Sequence, residues 1–234
     1  GAVNSFLKTR FGKKRFVDKQ EKRRRPPGGL YTHPGDVLAN LSGRNMLPAI
    51  YFLFSRRGCE EAMKMARGIP LVSQDEQGEL KRRVAEFTKD NPNLASHPHL
   101  PYLLEGLSVH HAGMLPSWKG MVEKLFQEGL LKVVFATETL AAGINMPARS
   151  TVISSIYKRS DEGHRPLMAS EFLQMSGRAG RRGMDEVGHV VILHNPFEPV
   201  DEAARLATAK ADPLSSRFTP SYGMVLNLLE RHTI

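Results

Sequence analysis

Residues 48–63 read PAIYFLFSRRGCEEAM, and the change of chemistry inside this stretch decides the fold. The run AIYFLF (49–54) is short, continuous and apolar, the pattern of a strand buried on both faces of a parallel sheet. The residues that follow, RRGCEEAMKMAR, carry helical spacing instead. The same alternation continues outward. KVVFA (132–136), STVISSIY (150–157) and HVVIL (189–193) predict three further strands, with the helix-leaning SQDEQGELKRRVAEFTKDNP between the first two of the four. Residues 117–128 predict an amphipathic helix: Ser117 can cap it, Trp118, Met121, Val122, Leu125 and Phe126 make one stripe, and Gly129 ends it. Strands alternating with helices indicate βαβ units and therefore an α/β fold built on a parallel sheet. Trp118 invites a base-stacking role, but its place on the apolar stripe assigns it to the core.

Composition narrows the class. A chain of 234 residues holds one good-sized core with an appendage rather than two full domains. Its single cysteine, Cys59, excludes an intrachain disulfide, and no cysteine–histidine cluster has zinc-site spacing, so the expectation is an intracellular protein with no metal site. No apolar run approaches the roughly 18 residues of a membrane span, and the first residues lack the apolar core of a signal peptide. A soluble protein is expected.

The net charge of +9 is unevenly placed. Residues 1–25 carry ten lysines and arginines against Asp18 and Glu21, which leaves +1 for the other 209 residues. The high pI thus describes an arm. Its segment KTRFGKKRFVDKQEKRRRPPG reads either as a solvated linker or as an electrostatic strap along nucleic acid. At the other end, NPFEPVDEAARLATAKADPL reads as a connector, and PSYGMVLNLLERHTI as the start of an amphipathic helix with Met224, Leu228 and Arg231 on one line.

Residues 174–185, QMSGRAGRRGMD, carry the strongest functional signal. Gly177, Gly180 and Gly183 alternate with Arg178, Arg181 and Arg182 just after the helix-capable ASEFLQM. Continued as a helix at 3.6 residues per turn, Gln174, Arg178 and Arg181 would fall within an arc of roughly 60°. The glycines would let a backbone or a phosphate chain approach, and arginine binds phosphate oxygens through two parallel hydrogen bonds. The expectation is a triphosphate site.

QMSGRAGRRG resembles motif VI of superfamily 2 helicases, in the wording of the superkiller-like DExH RNA helicases. Three more segments agree in the family's order: PAIYFLFSRRGCEEAM with motif IV, VHHAG (109–113) with the segment between motifs IV and V, and VVFATETLAAGINMP (133–147) with motif V. The match runs over residues 48–185, and the wording is closest to plastid and cyanobacterial members. The resemblance implies a second RecA-like domain, a parallel sheet with helices on both faces, over residues 31–195. Residues 1–30 are then a basic arm, and 196–234 a connector entering a winged-helix domain, truncated here. No phosphate-cradling G-x-x-x-x-G-K-[ST] loop is present, and the two near-matches to a DExH box, Asp161-Glu162-Gly163-His164 and Asp201-Glu202, follow motif V where the genuine box cannot lie. The domain alone is therefore expected not to hydrolyse ATP.

The same resemblance implies roles by position. ATP with Mg²⁺ would sit against an absent first RecA-like domain that supplies the magnesium ligands. Arg178 and Arg181 would act as catalytic arginine fingers, Gln174 would orient phosphate or water, and Gly143 and Asn145 would face the nucleotide. Ser55, Arg56, His110, His111, Gly113 and Thr137 would line a track for single-stranded RNA, with sequence-independent contacts to its backbone. Gly143 reads equally as a packing glycine, and the histidine pair as packed side chains. Further partners implied are the winged-helix domain and RNA-processing proteins, with chloroplast, nucleus, cytoplasm or bacterial cytoplasm as compartments. Two other readings stand beside this one: a DNA helicase of the related repair branch, and a non-catalytic scaffold domain.

Overall fold

The computed structural model describes residues 32–140, 146–160, 163–210 and 221–231. The basic arm, the loop residues Gly143 and Asn145, and Asp161 and Glu162 fall outside that range. In chain order the elements are α1 (Pro34–Gly43), β1 (Ala49–Phe52), α2 (Arg56–Met65), α3 (Gln74–Asp90), a 3₁₀ turn (Pro92–Ser96), α4 (Leu100–Leu103), β2 (Leu107–His110), α5 (Pro116–Gln127) and β3 (Val133–Ala136). There follow β4 (Ser150–Ile153), the hairpin β5 (Tyr157–Ser160) and β6 (Gly163–Pro166), α6 (Ala169–Ser176), β7 (His189–Ile192), α7 (Val200–Thr208) and α8 (Tyr222–Arg231).

Five strands form one sheet in the order β2-β3-β1-β4-β7, and every pairing in it is parallel. Helices pack around it, which makes the domain the RecA-like α/β fold expected. The central strands β1, β3 and β4 are buried at every position, so the continuous apolar wording of β1 and β3 reflects two covered faces, while β4 also buries Ser150 and Thr151. On α5 the read stripe holds: Trp118, Met121, Val122 and Leu125 are fully buried and Phe126 nearly so. Each such side chain contributes about 1.5–3 kcal/mol.

Several expectations need correction. The helix at 116 begins one residue earlier than read, and Ser117 does not cap it. Pro116 stands in its first turn, where the missing N–H costs nothing, and no side chain caps the end. STVISSIY is not one strand: β4 stops at Ile153, and Tyr157 opens the hairpin β5–β6, so Gly163 and His164 lie in a strand. HVVIL forms β7, but at the sheet edge it is only half-buried, with Val190 42% exposed. LSVH carries no strand signal of its own, because Ser108 and His110 interrupt the apolar pattern, yet it forms β2 and is buried throughout. The connector contains α7, which seats Leu206 in the core.

Candidate functional site

Parallel pairing puts the carboxyl ends of the strands in line, because Phe52 lies beside both Ala136 and Ile153, and His110 beside Ala136. The loops leaving this edge enclose a cavity of about 260 Å³ lined by Phe54, Ser55, Arg56, Ala112, Thr137, Glu138 and Thr139. Three residues expected on a nucleic-acid track, Ser55, Arg56 and Thr137, therefore meet in one groove. Ser55 caps α2, its Oγ accepting from Gly58 N at 2.9 Å, so the first turn of α2 opens at the groove. A helix N-terminus with an adjacent exposed Arg56 suits a phosphate. Thr137 and Thr139 share a hydrogen bond between hydroxyls at 2.8 Å.

His110 and His111 do not line the groove. Both are buried, at 4% and 5% exposure. The Nε2 of His110 donates to Glu123 of α5 at 2.7 Å, and burial lowers its pKa against the opposing effect of that carboxylate. The Nε2 of His111 donates to Glu60 of α2 at 3.2 Å, while its Nδ1 accepts from Gly113 N at 3.2 Å. These rings hold the 111–113 loop in place rather than presenting themselves to a ligand. Gly113 leaves room for that arrangement, since a Cβ there would stand 3.2 Å from the His111 ring and 3.5 Å from Arg56.

The glycine-arginine segment departs from the helical projection. Helix α6 ends at Ser176 with Gly177 at its C-cap, so only Gln174 of the three residues projected onto one face lies on it, and it is exposed. Arg178 and Arg181 sit in the turns beyond. Positive φ at Gly180 (89°) and Gly183 (76°) keeps the segment beyond from resuming the helix. The backbone these glycines admit belongs to the chain itself. Ala148 N donates to Arg178 O at 2.9 Å and Gly180 N to Ala148 O at 2.7 Å, while Gly188 packs directly on Ala179 and Gly180. Arg181 bonds Asp185 through Nε (2.8 Å) and Nη2 (2.9 Å). Those bonds hold the Asp185 carboxyl down at about pKa 2.

The two regions occupy opposite ends of the sheet. Thr137 follows the last residue of β3 at the carboxyl edge, whereas Ala148, which anchors Arg178, precedes the first residue of β4 at the amino edge. Helix α6 packs on β4. Its first turn carries Glu171, an acceptor for Lys158 at 2.7 Å and for Arg165 at 2.6 Å. Burial alone would raise the Glu171 pKa, but those hydrogen bonds outweigh it and hold the value near 2. Lys158 also reaches Glu138 at 2.6 Å. Sequence reading named neither Lys158 nor Glu138 as functional; their separation along the chain hides the contact. A second cavity of about 480 Å³ adjoins the first across Phe54 and Ser55, and Lys158, Arg159 and His164 are on its wall.

The family model described as the helicase conserved C-terminal domain matches residues 101–183. The chain is 49% identical over 194 residues to a chloroplastic DExH-box ATP-dependent RNA helicase of Arabidopsis thaliana, a match covering 83% of this chain and 17% of that protein. It is 44% identical over 231 residues to the probable helicase HelY of Mycobacterium tuberculosis, covering 93% of this chain and 25% of that one. With Superkiller complex protein 2 of Homo sapiens it shares 41% identity over 199 residues, covering 82% and 16% respectively. The chain spans about a sixth to a quarter of the length of these relatives.

Proposed function

The chain carries a C-terminal helicase domain of the superkiller-like superfamily 2 type, and on that premise we propose that it is the second RecA-like domain of an ATP-dependent helicase moving along single-stranded RNA. In this reading residues 31–195 form the working domain, residues 1–30 a basic arm and residues 196–234 the approach to a winged-helix domain. The observation that carries the proposal is the placement of two sites at opposite ends of one rigid sheet. Ser55, Arg56 and Thr137 stand at the carboxyl edge around a groove open to phosphate, and the Arg178 loop is pinned to Ala148 at the amino edge.

At the groove, the Thr137 hydroxyl, the Arg56 guanidinium and the first amides of α2 would bind backbone phosphates without reading bases. Gly113 and the buried His111 hold the loop that contributes Ala112 to this wall. At the other end Gln174 and Arg178 would meet the nucleotide phosphates; Gly143 and Asn145, which lie outside the described residues, are proposed as further nucleotide contacts. Gln174 fits such a role by its exposure at the end of α6. Arg181 fits it less directly, because two of its donors are engaged by Asp185; it holds the loop's shape and would reach phosphate with Nη1. The magnesium ligands would come from a first RecA-like domain, since this sequence has no phosphate loop. A motor needs its two sites coupled, and the chain from Thr137 to Ala148 belongs to both. The wording closest to plastid and cyanobacterial members, together with 49% identity to a chloroplastic protein named as an RNA helicase, supports RNA as the polymer and that branch as the origin.

The test is ATP hydrolysis by the full-length protein with matched single-stranded RNA or DNA, beside Arg178→Ala. Stimulation by RNA but not DNA, with turnover lowered on the order of 10³-fold in the variant, supports the reading. Stimulation by DNA at least as strong moves the protein to the repair branch. No hydrolysis with either polymer leaves a scaffold domain.

A further inference from the structure

The groove contains a charge that does not suit a phosphate. Glu138 lines it between Thr137 and Thr139, its side chain 40% exposed. A carboxylate beside a phosphodiester repels it unless a cation stands close. That cation is Lys158 of β5, whose Nζ is 2.6 Å from Glu138 Oε2 and 2.7 Å from Glu171 Oε1, with its own side chain 12% exposed. Arg165 of β6 supplies the fourth member through Glu171. The cluster holds two carboxylates and two cations, so it is neutral as a whole. The amine is arranged to serve two carboxylates on different elements, one in the groove and one in the first turn of α6.

Building on the nucleic-acid reading of the groove, we infer that Lys158 is a positioning residue that neutralises Glu138 for an incoming phosphate backbone and ties the groove to α6. The geometry makes the tie directional. Glu171 also accepts from Met168 N at 3.0 Å, which fixes the start of α6, and the other end of that helix leads into the Arg178 loop. Helix α6 is eight residues long, about 12 Å at 1.5 Å per residue. It therefore spans the distance between the two edges of the four-residue strands. A phosphate drawing Lys158 away from Glu171, or a shift of α6 drawing it away from Glu138, changes the charge felt at the other site. The chain from Thr137 to Ala148 is one connection between the sites, and Lys158 with α6 is a second, made of side chains.

The experiment measures binding of a fluorescein-labelled oligouridylate by anisotropy, using the full-length protein as wild type, Lys158→Met, Lys158→Arg, Glu138→Gln and the Lys158→Met/Glu138→Gln double variant. Lys158→Met should weaken binding about tenfold, because an uncompensated carboxylate then faces the phosphate. Glu138→Gln should bind as tightly as wild type or more so. The double variant should return to within about threefold of wild type, and Lys158→Arg should retain affinity. Rescue by Glu138→Gln separates a charge effect from misfolding, since a variant that had merely lost structure would not regain affinity by losing a second charged group. If wild type binds and Lys158→Met binds equally well, or if its loss is not rescued, the inference is overturned while the groove stands. If wild type binds neither RNA nor a matched DNA strand, the reading of the groove fails and the inference falls with it.

Discussion

Asp185 holds Arg181 by three hydrogen bonds: from Arg181 N to Oδ2 at 3.0 Å, from Nε to Oδ2 at 2.8 Å and from Nη2 to Oδ1 at 2.9 Å. The Asp185 side chain is 1% exposed, and Arg149 stands 3.5 Å away as a second cation. One carboxylate thus fixes the whole turn that follows α6, backbone and guanidinium together. A salt bridge of this depth is costly to break from one side only, because the remaining charge stays buried.

The pH dependence follows from the same pair. The Arg181 hydrogen bonds lower the Asp185 pKa from 3.8 to about 2. A carboxyl with a depressed folded value binds fewer protons folded than unfolded, so its stabilisation is complete above the unfolded value and is lost as pH falls through the folded one. The shift corresponds to about 2 kcal/mol. Urea unfolding followed from pH 6 to pH 2 should show this loss between about pH 4 and pH 2, and Asp185→Asn should lack that component. A variant with the same acid limb as wild type would remove Asp185 as its source.

Gly188 gives a steric prediction. A Cβ at this position would lie 2.6 Å from Ala179 C and Gly180 N, and 2.7 Å from Ala179 O. All three are backbone atoms, so no side chain can turn aside, and the segment 179–180 must move. Gly188→Ala should cost about 1–3 kcal/mol and lower the melting temperature by about 2–4 °C for each kcal/mol in a chain of this size. It should also depress ATP turnover in the full-length protein, because the displaced backbone carries Arg178 and Arg181. Gly43→Ala, with open space around its Cβ, is the control and should leave turnover unchanged.

How far the sequence reveals such features depends on the range of the interaction. β1, β3 and β4 are legible because both faces are covered and every side chain is apolar or small. β2 escapes the same reading: Ser108 and His110 interrupt the pattern, and the burial of His110 becomes intelligible only once Glu123 of α5 is seen to accept from it. The glycine-arginine segment misleads in the opposite direction. Its spacing continues the helical period of ASEFLQM, but Gly180 and Gly183 take positive φ and the helix stops at Ser176. The groove residues Ser55 and Thr137 are legible as residues that end strands. Glu138, Lys158 and Glu171 are not, since 20 and 13 positions separate Lys158 from its partners and only the hairpin β5–β6 brings the three together.

Trp118, the single tryptophan of the chain, tests core against ligand contact. It is fully buried and stacks on His97 with centroids 3.8 Å apart and planes at 18°. His99 meets it edge-on at 6.2 Å. Trp118→Ala should cost about 3–5 kcal/mol, whereas Trp118→Phe should cost much less, since the indole N–H has no hydrogen-bond partner among the described residues. Saturating single-stranded RNA should leave the emission maximum of the isolated domain unmoved. A shift on adding RNA would mean that the nucleic acid reaches α5.

Glu60 carries the last prediction. Its two oxygens serve two histidines from different parts of the chain: Oε2 accepts from His99 at 2.8 Å and Oε1 from His111 at 3.2 Å. His111 in turn accepts from Gly113 N, so this carboxylate on α2 sets the loop that contributes Ala112 to the groove. Glu60→Ala leaves both ring nitrogens without that acceptor in a buried setting, a loss of about 1–3 kcal/mol. Glu60→Gln keeps one acceptor oxygen and should lose roughly half as much. Because the loop and not the ligand contact is altered, oligouridylate affinity should fall in the same order, Ala below Gln below wild type. Hydrogen exchange at Gly113 N should accelerate in parallel, since that amide depends on the ring Glu60 holds. Unchanged exchange at Gly113 in Glu60→Ala would show that the loop is held by other contacts and that Glu60 serves only to join α2 to His99.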